Sequence, residues 1–329
     1  MKNGGILLVD TSFLGDVLCA EPLVRAVAES QPAPIDFLTS PGGSGMLGNH
    51  PQIREVLIFD KRGCDSGFSG LWRMAQKLRA RRYQQVICSH RSWRTAGLLW
   101  LAGIPERVGF HNASGALLYT KRVQYRKDLH EIQRNLELAG GGDWEAPRVF
   151  PTEAERGRAR ELCPDGPFVA IAPGSIWATK RWPQDYFTAV VRELDKQGVS
   201  VVLLGGPDDT PLCEEIATGT RAHNLAGQTN LRESAAVLES AKVMLTNDSA
   251  PMHLGVAAGI PVVAIYCATV PEFGFAPRGK DDVVLEVPNL SCRPCGIHGH
   301  KSCPERNFRC GKELAPERVM SALSSRLSF

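Results

Sequence analysis

Thr246-Asn247-Asp248-Ser249-Ala250-Pro251-Met252-His253-Leu254 follows the apolar run Val243-Met244-Leu245 and leads through Gly259 into a second run, Ile260 to Tyr266. A buried strand ending in polar residues, a Pro suited to the first turn of a helix, a Gly suited to its end and a further apolar run spell strand, loop, helix, strand. Such a unit puts Asn247, Asp248 and Ser249 at a strand's carboxyl edge and a helix N-terminus. Open α/β sheets hold ligands there, and backbone N–H groups face an anion. The simpler reading makes Asp248 or Ser249 a helix cap. A cap needs one side chain, however, and here Asp248, Ser249 and His253 stand together.

The same alternation runs through the chain. Strands are expected at Ile6–Val9, Ile35–Leu38, Glu55–Phe59, Gln85–Cys88 and Arg107–Gly109, with helices over 15–30, 71–82, 92–103 and 130–139. Strands alternating with helices predict a parallel sheet. Gly140-Gly141-Gly142, then Pro147 and Pro151, mark a boundary, giving domains 1–152 and 153–329. The second half restarts with a helix over 153–162 and a strand at Phe168–Ala172. From Pro183 a helix carries Phe187, Val190, Val191 and Leu194 on one face and stops at Gly198. A strand at Val199–Leu204, a helix over 211–218, a short strand near Asn224 and a helix over 231–240 lead back to the opening stretch. A Cys-rich segment, 292–310, and a C-terminal helix close the chain. The architecture expected is α/β: two Rossmann-like doubly wound domains facing a central cleft.

Composition narrows the class. With 43% hydrophobic and 22% charged residues among 329, the chain reads as a globular protein. Ile6-Leu7-Leu8-Val9 is stopped at Asp10 and makes a better first strand than a signal peptide. No apolar run approaches the roughly 20 residues that span a bilayer, so the expected location is cytoplasmic. Residues 1–150 carry 19 Lys and Arg against 14 Asp and Glu, and residues 151–329 carry 19 against 21, so the halves face different partners. Nucleic acid is not among those expected, because dense positive charge with interleaved aromatics is missing. Six cysteines are scattered singly. Cys292, Cys295, Cys303 and Cys310, with His298 and His300 among them, resemble either a zinc knuckle or a loop of reduced or disulfide-forming thiols.

Two further loops carry chemistry. Ser12-Phe13-Leu14-Gly15-Asp16 turns the first strand into its helix, which makes Asp16 either a general base or a first-turn acid complementing the helix dipole. A nicotinamide enzyme would place Gly-x-Gly-x-x-Gly at this turn, and Gly15 stands alone. Pro173-Gly174-Ser175, followed by Lys180 and Arg181 before a helix, supplies a backbone, a hydroxyl and cations suited to a diphosphate. It lacks the Gly-Lys-Ser/Thr of a P-loop.

In this order, Leu7-Leu8-Val9 with Ser12 to Val17, Ala172-Pro173-Gly174-Ser175 with Lys180-Arg181-Trp182-Pro183, and Asn247 to Leu254 resemble the motifs of glycosyltransferase family 9, the lipopolysaccharide heptosyltransferases. Leu225 to Thr229, Pro271 to Phe275 and the Cys292–Cys310 segment extend the resemblance, the last toward the heptosyltransferase II branch. The resemblance implies a GT-B fold and inverting transfer of L-glycero-D-manno-heptose from ADP-heptose to the lipid-anchored lipopolysaccharide inner core. That work belongs at the inner face of the inner membrane, in transient contact with it. Asp16 would be the base. Ser175 and Lys180 would hold the diphosphate, Thr229 would lie near the adenine, and Asp248 with Ser249 and His253 would hold the sugar side. Arg91, Arg94 and Arg122 of the basic half are candidates for the anionic acceptor. A sugar nucleotide carries its own leaving group, so no cofactor is required and zinc would be structural. The alternatives are a family 9 transferase using another nucleotide sugar, or a non-catalytic nucleotide-sugar-binding or metal-binding protein of this fold. The chain departs from the family pattern in having Asp10 where a cation is frequent and Ala250 where Gly is common.

Overall fold

The first half of the chain forms β1 (Ile6–Asp10), β2 (Ile35–Thr39), β3 (Ile53–Ile58), β4 (Gln85–Cys88), β5 (Glu106–Phe110) and β6 (Lys121–Val123). They pair in parallel in the order β3-β2-β1-β4-β5-β6. The computed structural model describes residues 4–327 and divides between Phe150 and Pro151 into two units, each with its own core. In the first unit the connections are α1 (Leu14–Cys19), α2 (Glu21–Ser30), α3 (Pro41–Leu47), α4 (Gly67–Ala80), α5 (Trp93–Leu101) and α6 (Glu131–Glu137). Leu7, Val9, Val86 and Cys88 pack on α4 and α5, while Ile6, Leu8, Phe37 and Ile87 pack on α1 and α2. Strands apolar on both faces are what a sheet covered by helices on both sides requires.

The second unit repeats the path. Its strands are β7 (Phe168–Ala172), β8 (Ser200–Leu203), β9 (His223–Asn224), β10 (Val243–Asn247), β11 (Val262–Tyr266) and β12 (Val283–Glu286), ordered β12-β11-β10-β7-β8-β9 and all parallel. Around them lie α7 (Glu153–Leu162), α8 (Gln184–Lys196), α9 (Thr210–Ala217), α10 (Leu231–Glu239), α11 (Ala250–Ala257), α12 (Arg309–Lys312) and α13 (Pro316–Leu327). In each sheet the unit's first strand sits between its second and its fourth. At that junction the connections leave in opposite directions, so the loops part and a ligand can enter at the strands' carboxyl ends. The junctions fall after β1 and β4 in one unit and after β7 and β10 in the other.

Several local expectations change. The single helix over 15–30 is two helices, because Pro22 can donate no backbone N–H and stands in the first turn of α2, with Ala20 as the hinge. Helix α3, in Pro-Gly-Gly-Ser-Gly-Met-Leu, has no apolar period to announce it, and β12 follows a stretch without strand signals. Residues 114–127, for which no strand or helix is expected, hold a 3-10 turn, Ala116–Leu118, and the edge strand β6.

Gly109 in β5 stands where a Cβ would lie 2.6 Å from ring atoms of the buried Tyr119. Gly109→Ala is therefore expected to cost about 1–3 kcal/mol through overpacking. Urea denaturation reads this directly; an unchanged midpoint would mean that the ring moves aside freely.

Candidate active site

At the β1/β4 junction the chain turns sharply. Asp10 accepts from Ser12 N (2.9 Å), from the Ser12 hydroxyl and from Ser89 Oγ (2.6 Å), fastening the loops after β1 and β4 to each other. Thr11 Oγ1 and Thr95 Oγ1 lie 2.8 and 2.9 Å from His90 Nδ1, and Lys61 Nζ donates to the Thr11 carbonyl at 2.8 Å and to its hydroxyl at 3.0 Å. Lys61 thus brings a cation to this turn from the β3–α4 connection, beside the position where the sequence carries Asp10.

Asp16, in the first turn of α1, accepts from Phe13 N at 3.3 Å and so does serve its own helix end. That role does not exhaust it. Burial, then Asp10, then Glu131 push its carboxyl up to about 7, against the Phe13 hydrogen bond and Arg91. A carboxyl poised near neutrality is what a general base needs. Glu131 accepts from Tyr125 Oη (2.9 Å) and Arg134 Nη1 (2.8 Å), and the Arg91 guanidinium stacks 4.2 Å over the Tyr125 ring. Burial pushes the His90 imidazole down to about 4, with Asp10 opposing, so His90 is neutral at physiological pH.

Of the three arginines proposed for an acceptor, Arg91 is the one whose charge acts on Asp16. Arg94 is committed elsewhere: its guanidinium donates to the carbonyls of Asp65 and Gly67. Arg122 is exposed on the edge strand β6, opposite Gly109.

At the β7/β10 junction of the second unit, Lys180 Nζ lies 2.6 Å from Asp248 Oδ2, both side chains being largely buried. Thr269 Oγ1 donates to the same oxygen at 2.5 Å. Asn247, wholly buried, accepts from Trp182 N (3.0 Å) and donates to the Pro173 carbonyl (2.8 Å), locking both ends of the Pro173–Trp182 loop to β10. A Cβ at Gly174 would stand 2.2 Å from Asp209 Oδ1, so a side chain there requires the Asp209 carboxylate to move. The half-buried Ser175 hydroxyl has no protein partner among the described residues. The capping expectation is corrected here. Asp248 is held by Lys180 and Thr269, while Ser249 Oγ reaches the Gly174 and Asn247 carbonyls at 3.4 Å and gives α11 no side-chain cap. The amino end of α11 is thereby left for an anion. His253 is buried, edge-on to Phe275 at 6.2 Å. Burial pushes its imidazole down to about 4, Asp248 opposing and Lys180 adding to the shift. Thr229 sits on the β9–α10 loop, its hydroxyl 2.8 Å from Ser234 Oγ.

The Cys-rich segment braces this site. Thr179 N donates to the His300 carbonyl (3.1 Å), and His300 N donates back to Thr179 Oγ1 (2.7 Å), fixing the turn that carries Lys180. Gly299, at φ +81°, packs so closely on Thr179 and Lys180 that a Cβ would stand 2.9 Å from Thr179 Oγ1. At its other end Arg293 donates twice to the Thr269 carbonyl (2.9 and 2.6 Å). Cys310 is buried in the core, where burial, then Cys295 and Cys303, push its thiol up to about 11 with Arg293 opposing, and Cys295 Sγ donates to the Cys292 carbonyl. Among the described residues no three His, Cys, Asp or Glu side chains are grouped to hold a metal. The residues that sequence reasoning did not single out are Lys61, His90, Glu131 and Thr269, which no local motif announces. Asn247 was placed at the strand's carboxyl edge but given no role.

The whole chain shares its fold with solved structures. It matches a glycosyl transferase of family 9 from Veillonella parvula with TM-score 0.86 and 24% identity, covering 99% of this chain and 97% of that one. It matches E. coli ADP-heptose lps heptosyltransferase II with TM-score 0.80 and 23% identity over 98% of each. The fold is GT-B, the glycosyltransferase class made of two Rossmann-like domains. Its family follows from the sequence. The profile of glycosyltransferase family 9 (heptosyltransferase) matches residues 71–306, and lipopolysaccharide heptosyltransferase 2 of Salmonella typhimurium is 25% identical over 98% of both chains. The chain belongs to glycosyltransferase family 9 and is a glycosyltransferase.

Asn247→Leu removes the acceptor of Trp182 N and the donor to Pro173. It is expected to destabilise the protein by about 2–4 kcal/mol in urea titration, more than an apolar swap of similar size elsewhere in β10. Because the folded His253 stays neutral down to about pH 4 while an unfolded histidine takes up its proton near 6.5, stability is lost as pH falls through that window. His253→Gln should flatten this part of the pH–stability curve; an unaltered curve would show that His253 does not titrate there.

Proposed function

We propose that the protein transfers L-glycero-D-manno-heptose from ADP-heptose to the inner core of lipopolysaccharide, with inversion, using Asp16 as the base. The observation that carries this is the Asp16 carboxyl raised to about 7 beside Arg91, since a base of that strength can take a hydroxyl proton at cellular pH. In the step itself the acceptor oxygen bonds to the anomeric carbon as the carbon–phosphate oxygen bond breaks. The proton passes to Asp16, and ADP leaves with the electron pair. A single displacement of this kind inverts the anomeric centre.

The leaving diphosphate gathers negative charge, so donors set in advance at that point stabilise the transition state more than the ground state. Lys180, the unpartnered Ser175 hydroxyl and the amino end of α11 are suited to that task. Asp248 holds Lys180 in place before the donor binds. Once the diphosphate shares the ammonium, the carboxylate is free to accept from sugar hydroxyls, with Ser249 and the neutral His253 beside it. Thr229 is assigned to the adenine end. No step runs through a metal, and the Cys292–Cys310 segment is assigned a mechanical part, holding Lys180 and Thr269. Support for the donor and acceptor comes from the names of the relatives, which specify ADP-heptose and lipopolysaccharide. A lipid-anchored acceptor places the enzyme at the inner face of the inner membrane.

Asp16→Asn is expected to lower transfer from ADP-heptose to a Kdo-containing acceptor by about 10²-fold or more while ADP binding by calorimetry stays within about twofold. Turnover that survives the substitution would remove Asp16 from the role. Lys180→Met should instead weaken ADP binding by at least about tenfold. Equal affinity would place the diphosphate elsewhere.

A further inference from the structure

The first unit carries an outer surface that a protein in water has no reason to keep. Phe68 and Trp72 on α4 are 72% and 44% exposed, Trp93 and Trp100 on α5 are 68% and 54% exposed, and Leu117 in the following 3-10 turn is 89% exposed. The pairs stand at i, i+4 and i, i+7, so each helix presents its aromatics along one stripe. The helices lie side by side and run the same way. Arg94 ties the start of α5 to the Asp65 and Gly67 carbonyls (2.7 and 3.1 Å), and Arg79 ties the end of α4 to the Leu101 carbonyl (2.8 Å). Their inner faces, Met74, Ala75 and Leu78 from one and Ala96, Leu98 and Leu99 from the other, enter a single core on one side of the sheet. Gly115, two residues before Leu117, packs against the Trp93 backbone, where a Cβ would stand 3.3 Å from its Cα. The turn that carries Leu117 therefore sits beside Trp93, and α4 with its own exposed pair lies alongside α5.

Charge identifies what covers that face. Between Asp65 and Asp128 the chain has twelve Lys and Arg and a single acid, Glu106. Neither α4 nor α5 contains an acidic residue. Of the twelve cations, Arg73, Arg81 and Arg126 pair with a carboxylate; Lys77, Arg82, Lys121 and Arg122 hold no ion pair among the described residues. Two copies meeting face to face here would bring like charges together. A leaflet of anionic lipid meets both demands. Trp, Phe and Leu settle at the boundary between headgroups and acyl chains, and each Lys or Arg near the surface adds attraction. The position also fits: α4 and α5 begin at the carboxyl ends of β3 and β4, the same edge of the sheet on which the Ser12–Asp16 turn stands.

We propose that the α4–α5 face, with Phe68, Trp72, Trp93, Trp100 and Leu117 as its apolar contacts and Lys77 and Lys121 among its charges, docks the enzyme on an anionic phospholipid leaflet. It rests on the functional reading only in that a lipid-borne acceptor gives the contact a purpose; vesicle binding and transfer are read separately. Co-sedimentation of the full chain with phosphatidylcholine vesicles, with and without phosphatidylglycerol, tests it. Binding is expected only to the anionic vesicles and should weaken as salt is raised. Trp93→Ser with Leu117→Ser, or Lys77→Glu with Lys121→Glu, is expected to lower it by at least about tenfold. The circular dichroism spectrum and the urea midpoint should be unchanged in both variants, which shows that the substituted unit folds. Vesicle binding that ignores lipid charge or survives both double substitutions overturns the proposal. So does a concentration-dependent dimer that the same substitutions disperse in a protein that does not bind vesicles.

Discussion

Everything in the site depends on one constraint of parallel sheets. A strand whose two neighbours are reached by connections leaving in opposite directions has a gap at its carboxyl end that no loop fills. β1 and β7 are those strands. The gap after β1 receives Asp16, and the gap after β7 receives Lys180. Each is narrowed by the connection after the fourth strand of its unit, with Ser89 and His90 in one case and Asp248 and Ser249 in the other. The same path, traced twice by unlike sequences, provides one place for a base and one for an anion.

What differs between the gaps is their electrostatics. The first gathers carboxylates: Asp10 and Glu131 raise the carboxyl of Asp16, and Lys61 and Arg91 keep the cluster from becoming a purely negative surface. The second pairs its acid with a cation at 2.6 Å and leaves the amino end of α11 uncapped. An acid kept half-protonated near neutrality suits proton removal, and an ammonium beside open N–H groups suits a departing diphosphate.

The sequence showed this division unevenly, for physical reasons. Asp16, Lys180, Asp248 and Ser249 lie within a few residues of a strand end, so local pattern was enough to find them. Lys61, Glu131 and Thr269 reach the same gaps from connections distant in sequence, and only the pairing of strands brings them there. Arg94 read as a free cation because its bonds to the Asp65 and Gly67 carbonyls leave no trace in composition. The cysteines near the end suggested a zinc knuckle or a thiol loop by spacing, but the contacts that tie the segment to the site, its backbone on Thr179 and Arg293 on Thr269, carry no such local signal. Strands with apolar residues on both faces were legible throughout. Helix α3, built of Pro and Gly, and the break at Ala20 were not.

The central claim is that Asp16 is the base and that its strength is set by burial and by its neighbour Asp10. The measurement that reaches it most directly is the pH dependence of kcat/KM for transfer, in the natural protein and in Asp10→Asn. The rate should rise with pH through a midpoint near 7 as Asp16 loses its proton, and the midpoint should move to lower pH when the Asp10 charge is removed. A profile flat from about pH 5 to 8, or a midpoint that ignores Asp10→Asn, would contradict the account.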